Sequence, residues 1–201
     1  MRKTSLYAAG AALAAAAALA AGVAATAPVA AQSSTIRAHA EIRGAGITGT
    51  ADFREVASES AGATDPRYTV GTIAVEISVK VSGLAPGAHG VHLHEIGKCE
   101  PDFTAAGGHF DPGPHGMTDP DANHPFHMGD LPNLIVNQDG EGGFTVRTTR
   151  VTLSPGPTSV FDENGTSIII HGNPDQGTTG EPKSGVSGGP RLACGVITRI
   201  S

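Results

Sequence analysis

The 201-residue chain carries 13 basic and 19 acidic side chains, a net charge of −6, with no tryptophan and two cysteines. An acidic balance of this size argues against nucleic acid or an anionic membrane surface as partner, since both would repel it. The length suits one domain with a single core, and the 28 glycines and 14 prolines read as punctuation between short elements.

The chain opens MRKTSLYAAGAALAAAAALAAGVAATAPVAAQ, with Arg2 and Lys3 ahead of an alanine-rich run that ends at Val29-Ala30-Ala31. A basic start, an apolar stretch and small residues at the end form the pattern of a secretory signal peptide over residues 1–31. Alanine is too weakly apolar to favour a retained membrane anchor. Residues 32–201 are then one exported domain, periplasmic or extracellular, with no membrane attachment after cleavage. Losing Arg2 and Lys3 leaves it two charges more negative than the full chain.

Strand signals follow in order. TIRAHAEIRG (35–44) alternates with period two, and YTVGTIAVEISVKVSGL (68–84) does so more strongly. VHLHE, GFTVRTTRVTL, TSIIIH and LACGVITRI are further candidates. SVFDENGTSIII reads as strand, turn at Asn164-Gly165, and strand. No helical period is longer than about two turns. Short strands separated by turn signals predict an all-β antiparallel sandwich or barrel.

Two long stretches, Gly97 to Asn133 and Gly172 to Pro190, lack any strand pattern, and loops of this length in a compact domain are usually functional or disordered. Each adjoins a cysteine. Cys99 and Cys194, an even pair in an exported chain, predict a disulfide. Closing so long a loop would contribute roughly 4–5 kcal/mol on the chain-entropy account.

Eight of the nine histidines fall between His89 and His171. In an extended strand His92 and His94 project to one face about 7 Å apart, so one metal ion can take both. His89 is better placed to brace the site than to ligate. The first long loop adds His109, His115, His124, His127 and Asp130. Imidazole and carboxylate without thiolate suit zinc or copper(II). His171 ends an apolar strand, where the chain leaves the core.

The segments GAHGVHLHEIGKC, AGGHFDP, HMGDLPNL, IIIHGNPD and GGPRLACGVI resemble, in order, the motifs of the copper–zinc superoxide dismutase family. The resemblance spans residues 35 to the C-terminus. It implies an eight-stranded Greek-key antiparallel β-barrel with two long functional loops, and an exported enzyme that converts superoxide to oxygen and hydrogen peroxide. It implies one copper and one zinc per subunit. Copper would be held by His92, His94, His109 and His171, and zinc by His109, His127, Asp130 and one more loop histidine, with His109 bridging both ions. His115, followed by Gly116, fits the family's order but follows His109 closely; His124 is the alternative. His89 would stand behind copper, and Asp175 would link copper and zinc ligands. Cys99 and Cys194 match the family's intrasubunit disulfide. Arg191 matches its active-site arginine, a permanent cation to draw in a small anion, and Lys183 could add to that attraction. The alternative function is a non-catalytic copper-binding or metal-delivery protein on the same fold, from which ligands or the arginine would be missing. The sequence leaves both a monomer and a homodimer open.

Overall fold

A computed structural model describes residues 35–57, 73–113 and 116–200. The signal-peptide reading of residues 1–31, the first residues of the 68–84 strand reading, and His115 lie outside the described residues.

Ten strands are present among the described residues: β1 (Arg37–Gly44), β2 (Ile47–Ala57), β3 (Ile73–Ser82), β4 (Gly87–His89), β5 (Val91–His94), β6 (Leu134–Val136), β7 (Glu141–Thr148), β8 (Ser167–His171), β9 (Arg191–Val196) and β10 (Thr198–Ile200). A single 3₁₀ turn, Phe103–Ala106, is the only helical element described. The strands pair antiparallel in the order β4-β6-β7-β3-β2-β1-β9-β8-β5, and β10 adds to β1. β4 and β5 are halves of one stretch interrupted at Gly90, and β9 and β10 are separated only by Ile197. Counted as continuous stretches, these ten segments are the expected eight strands.

The interruption at Gly90 closes the barrel. The first half of the stretch pairs with β6 and the second with β8, so the two ends of the strand order are joined through one residue. Gly90 itself hydrogen-bonds outside the ladder: its N–H donates to Asn173 O at 2.9 Å, and its carbonyl accepts from His171 N at 2.8 Å. A Cβ there would lie 3.0 Å from Ser187 O and 3.2 Å from His92 Cε1.

Alternation fills the interior. β1 and β3 turn Ala38, Ala40, Ile42, Val75, Ile77, Val79 and Val81 inward while their polar neighbours face out. Phe53, Leu93, Leu134, Ile168 and Ile170 complete the same core. Strand signals succeeded where one face is apolar. β2, ITGTADFREVA, gave no signal because Thr, Gly and Asp interrupt its apolar residues, yet it pairs along almost its whole length with β1 and β3. The strand expected at SVF is instead a turn region with one parallel bridge, Thr152 to Ser159; there the chain leaves the ladder before β8. The turn at Gly165, with φ of 66°, is where the dipeptide predicted one.

The first long loop runs back along β5 and forms isolated bridges, His94 with His109 and His92 with Asp130. Glycine permits this approach. A Cβ on Gly129 would lie 2.5 Å from Leu93 O, and one on Gly108 would lie 1.9 Å from Thr118 O. A side chain at Gly129 would push the neighbouring Asp130 away from β5, and one at Gly108 would part the two stretches of the loop itself.

Candidate metal centre

Two groups of side chains present ligand atoms within 4.8 Å of one another: His92, His94, His109 and His171, and His92, His109, His124 and Asp130. All five histidines are essentially buried. β5 supplies His92 and His94, β8 supplies His171, and the first loop supplies the rest.

Hydrogen bonds decide which nitrogen of each ring faces inward. His94 Nδ1 lies 3.1 Å from Gly107 O and His171 Nδ1 lies 3.1 Å from Gly189 O. A carbonyl can only accept, so each Nδ1 carries the proton and each Nε2 presents a lone pair. His92 Nε2 is held by Asp175 Oδ2 at 3.0 Å, which leaves Nδ1 as its inward atom. His109 Nδ1 is held by Asp130 Oδ1 at 2.8 Å, which leaves Nε2. These four inward nitrogens, His92 Nδ1, His94 Nε2, His109 Nε2 and His171 Nε2, are buried without a hydrogen-bond partner. Leaving one such acceptor buried and unpaired costs about 1–3 kcal/mol. Four facing one another are matched by a soft to borderline cation, and an all-imidazole set suits copper.

The second group surrounds a carboxylate. Asp130 Oδ1 is 2.8 Å from His109 Nδ1, and Oδ2 is 3.1 Å from His127 Nδ1 and 3.2 Å from His124 Nδ1. The His124 contact lies off the line of a hydrogen bond, so that nitrogen is also unpartnered. Three imidazole nitrogens within 3.2 Å of one carboxylate form a donor set of the kind zinc takes. Three imidazoles and one carboxylate therefore fit zinc. His127 is outside the 4.8 Å group but joins His109 and His124 through its Nδ1 contact with Asp130, while His92, which is in that group, turns its inward Nδ1 to the first set.

Asp175 joins the two groups. Its Oδ2 holds His92 and its Oδ1 holds His124 Nε2 at 2.6 Å. Asn133 grips the backbone of Asp175 from both sides, Nδ2 donating to its carbonyl and Oδ1 accepting from its N–H, each at 2.8 Å. Nothing in the sequence singled out Asn133, because a side-chain amide that pairs with main chain leaves no spacing pattern. His89, 4% exposed, sits with Nδ1 2.8 Å from His171 O and Nε2 2.9 Å from Ala85 O. Both its nitrogens are engaged, so it braces β8 and has none to offer a metal. The structure brings His124 to the carboxylate, while His115 lies outside the described residues.

Burial lowers the basicity of the inward rings. It pushes His92 and His109 down to about 4 and His171 to about 3, with neighbouring imidazoles adding to the effect on His92, and it holds His94 well below its usual range. Burial also works against His124, but Asp130 and Asp175 outweigh it and raise that ring to about 9. Burial would raise Asp130 and Asp175 in turn; their histidine partners reverse this and keep both well below the usual carboxylate range. At neutral pH the copper-type set is thus neutral and ready to coordinate without first losing protons.

These shifts fix a pH dependence for metal-free protein. Unfolded histidines take up protons near 6.5, whereas folded His92, His109 and His171 do so only near 3 to 4. Between those values the unfolded chain binds more protons, so stability present above about 6.5 is lost as pH falls toward 4, on the order of 3 kcal/mol for an independent site. His124 works in the opposite sense: its contribution is complete below about 6.5 and is lost as pH rises through about 9. Urea unfolding of metal-stripped protein should show a midpoint that falls from pH 7 to pH 4.5. An unchanged midpoint would contradict the neutral, buried state of these rings.

The mouth of the centre is a cavity of about 250 Å³ lined by His171, Lys183 and Arg191 together with residues of both long loops. Arg191 is fixed from behind, with Nη1 donating to Phe103 O at 2.7 Å and Nη2 to Gly107 O at 2.6 Å. Burial lowers its basicity, opposed by Asp102 and Glu95. A disulfide joins Cys99 to Cys194, and so ties the segment that holds Arg191 to the strand that carries it.

Comparison with known proteins agrees with this geometry. The sequence profile of the family described as copper/zinc superoxide dismutase (SODC) matches residues 47–197. A protein named superoxide dismutase [Cu-Zn] from Deinococcus radiodurans is 38% identical over 178 residues, covering 83% of this chain and 86% of its own length. One of the same name from Caulobacter vibrioides is 40% identical over 129 residues, covering 61% and 71%. Among solved structures, the crystal structure of the clock protein EA4 is 26% identical with a TM-score of 0.61, covering 80% of this chain and 92% of that one.

Proposed function

The chain belongs to the copper/zinc superoxide dismutase family, and from that premise we propose how its buried side chains divide between the two ions. It is an oxidoreductase that acts on superoxide, with copper and zinc as cofactors. Copper is assigned to His92 Nδ1 and to Nε2 of His94, His109 and His171. Zinc is assigned to Nδ1 of His109, His124 and His127, and to Asp130. His109 then serves both ions through its two ring nitrogens. The carrying observation is the set of four buried, unpartnered nitrogens contributed by two strands and a loop.

Copper held by the four rings would supply a one-electron couple, the chemistry by which two superoxide ions and two protons become oxygen and hydrogen peroxide, and zinc would supply fixed charge. The chain's own part is positioning and charge. Gly107 O, Gly189 O, Asp175 and Asp130 fix the orientation of each ring, and such outer partners tune a bound metal. His109 Nε2, when not taken by copper, would be the atom at which a proton is held for the departing product. Arg191, clamped by two carbonyls, turns its remaining donors toward the mouth and attracts the anion against the negative charge of the whole chain. Asp175 transmits the position of the zinc-side His124 to the copper-side His92.

Residues 1–31 act as a secretory signal in this reading, and residues 32–201 work in the periplasm or extracellular space. The Cys99–Cys194 disulfide supports an oxidising compartment. Among the described residues no helix is long and apolar enough to cross a membrane. The delivery-protein alternative is disfavoured because Arg191 lines the mouth and all four copper-type rings are in place.

Metal analysis of purified protein, paired with measured superoxide consumption, tests the proposal. One copper and one zinc per chain with rapid turnover are expected. Stoichiometric copper without turnover would favour metal delivery, and absence of both metals after reconstitution would overturn the assignment.

A further inference from the structure

Asp121, in the first long loop, is 4% exposed although no metal-type ligand group includes it. It faces the second long loop, where it meets main-chain amides and the Ser187 side chain. Its carboxylate Oδ1 accepts from Ser187 N at 3.0 Å and Oδ2 from Gly185 N at 2.9 Å, while its backbone carbonyl accepts from Gly180 N at 2.9 Å. Asp121 is itself held by a tight turn, since Asp119 Oδ1 accepts from the amides of Asp121 and Ala122 at 3.1 and 3.0 Å. One residue thus grips the segment 180–187 on both sides of Lys183, with its backbone carbonyl before it at Gly180 and its carboxylate after it at Gly185 and Ser187.

Lys183 has a backbone φ of 65°, a left-handed conformation uncommon for a side-chain-bearing residue, and it lines the mouth together with His171 and Arg191. Such a conformation persists only where neighbouring contacts over-determine it. Asp121 lines the same cavity. Its carboxylate stays charged and its amide partners only partly offset its repulsion of an incoming anion, so its value to the site lies in where it places Lys183.

We propose that Asp121 is a positioning residue for anion capture: by holding the main chain on both sides of Lys183, it fixes that ammonium at the rim of the cavity leading to His171 and Arg191. This rests on the superoxide reading of the site. Position matters because a surface charge acts strongly only within a screening length of about 8 Å at physiological salt. An ammonium on a loose loop spends much of its time beyond that range. The effect therefore belongs to the encounter of anion and protein, and metal content is untouched.

The test compares metal-loaded wild type with Asp121→Ala, Asp121→Asn, Lys183→Ala and the Asp121→Ala/Lys183→Ala double variant. Hydrogen exchange at the Gly185 and Ser187 amides should quicken by about 10-fold or more in Asp121→Ala, as expected for losing hydrogen bonds to a charged acceptor. Asp121→Asn, which keeps one acceptor oxygen, should fall between. In Asp121→Ala, kcat/KM for superoxide at low salt should drop roughly 3- to 10-fold, and its salt dependence should flatten to that of Lys183→Ala. The double variant should lose no more than Lys183→Ala alone. Unchanged amide exchange, an unchanged salt slope, or a further loss in the double variant would overturn the proposal. If Asp121→Ala does not fold, Asp121→Asn is held to the same three criteria at intermediate size. Wild type without turnover would instead defeat the superoxide reading, and the amide exchange would still report on the clamp.

Discussion

Alanine at His109 is expected to abolish superoxide consumption and to release both metals, the largest effect of any single substitution in this chain. On the proposed assignment His109 Nε2 faces the copper set and Nδ1 the zinc set. Outer partners of metal ligands typically cost about 10–100-fold when removed, and loss of a ring shared by two sites should exceed that. His94→Ala is the control: its Nδ1 is tied to Gly107 O and only its Nε2 faces inward, so it should lose copper and keep zinc. Copper and zinc content, with circular dichroism to confirm the barrel, read the difference. A His109→Ala protein that keeps both ions and more than about a tenth of the rate would remove the shared-ring assignment, since the loss expected from outer partners alone is at least that large.

Arg191→Ala should behave differently, with kcat/KM falling about 10–100-fold while both metals stay bound. Its guanidinium hydrogen-bonds to Phe103 O and Gly107 O, not to a member of either ligand group, and Arg191 lines the mouth. Charge focused in a cleft changes association by roughly 10–1000-fold, and Lys183 would retain part of the attraction. Arg191→Lys should recover only part of the loss, because an ammonium cannot span two carbonyls and still present a fork of donors outward. The check is the rate measured across ionic strength. A variant with full rate and unchanged salt dependence would remove Arg191 from the mechanism.

Much of this was legible in the sequence because it rests on short-range rules. Alternation in β1 and β3 marked their inward faces, the apolar run of β8 marked a buried strand, and the spacing of His92 and His94 put both rings on one side of β5. The Asn164-Gly165 dipeptide marked a turn that the structure contains. The even pair of cysteines marked the disulfide that forms. β2 was hidden because its pairing with β1 and β3, rather than its own pattern, holds it in place. The loop contributions were hidden for another reason. Whether His115 or His124 meets Asp130 depends on how the loop folds back along β5, through glycines whose tight approach no local pattern predicts. Asn133 and Asp121 act mainly on main-chain groups, which every residue carries, so no sequence signal distinguishes the partners they select.

The switch of partners at Gly90 has a consequence for how molecules of this protein meet. Because the two ends of the strand order are consecutive parts of one segment, the described sheet offers no free run of donors and acceptors at that seam on which another chain could continue the ladder. Barrel closure of this kind removes the template for fibril growth and for dimers that share a sheet. Copies that associate there must do so through side-chain surfaces, where specificity depends on shape and charge rather than on backbone stickiness.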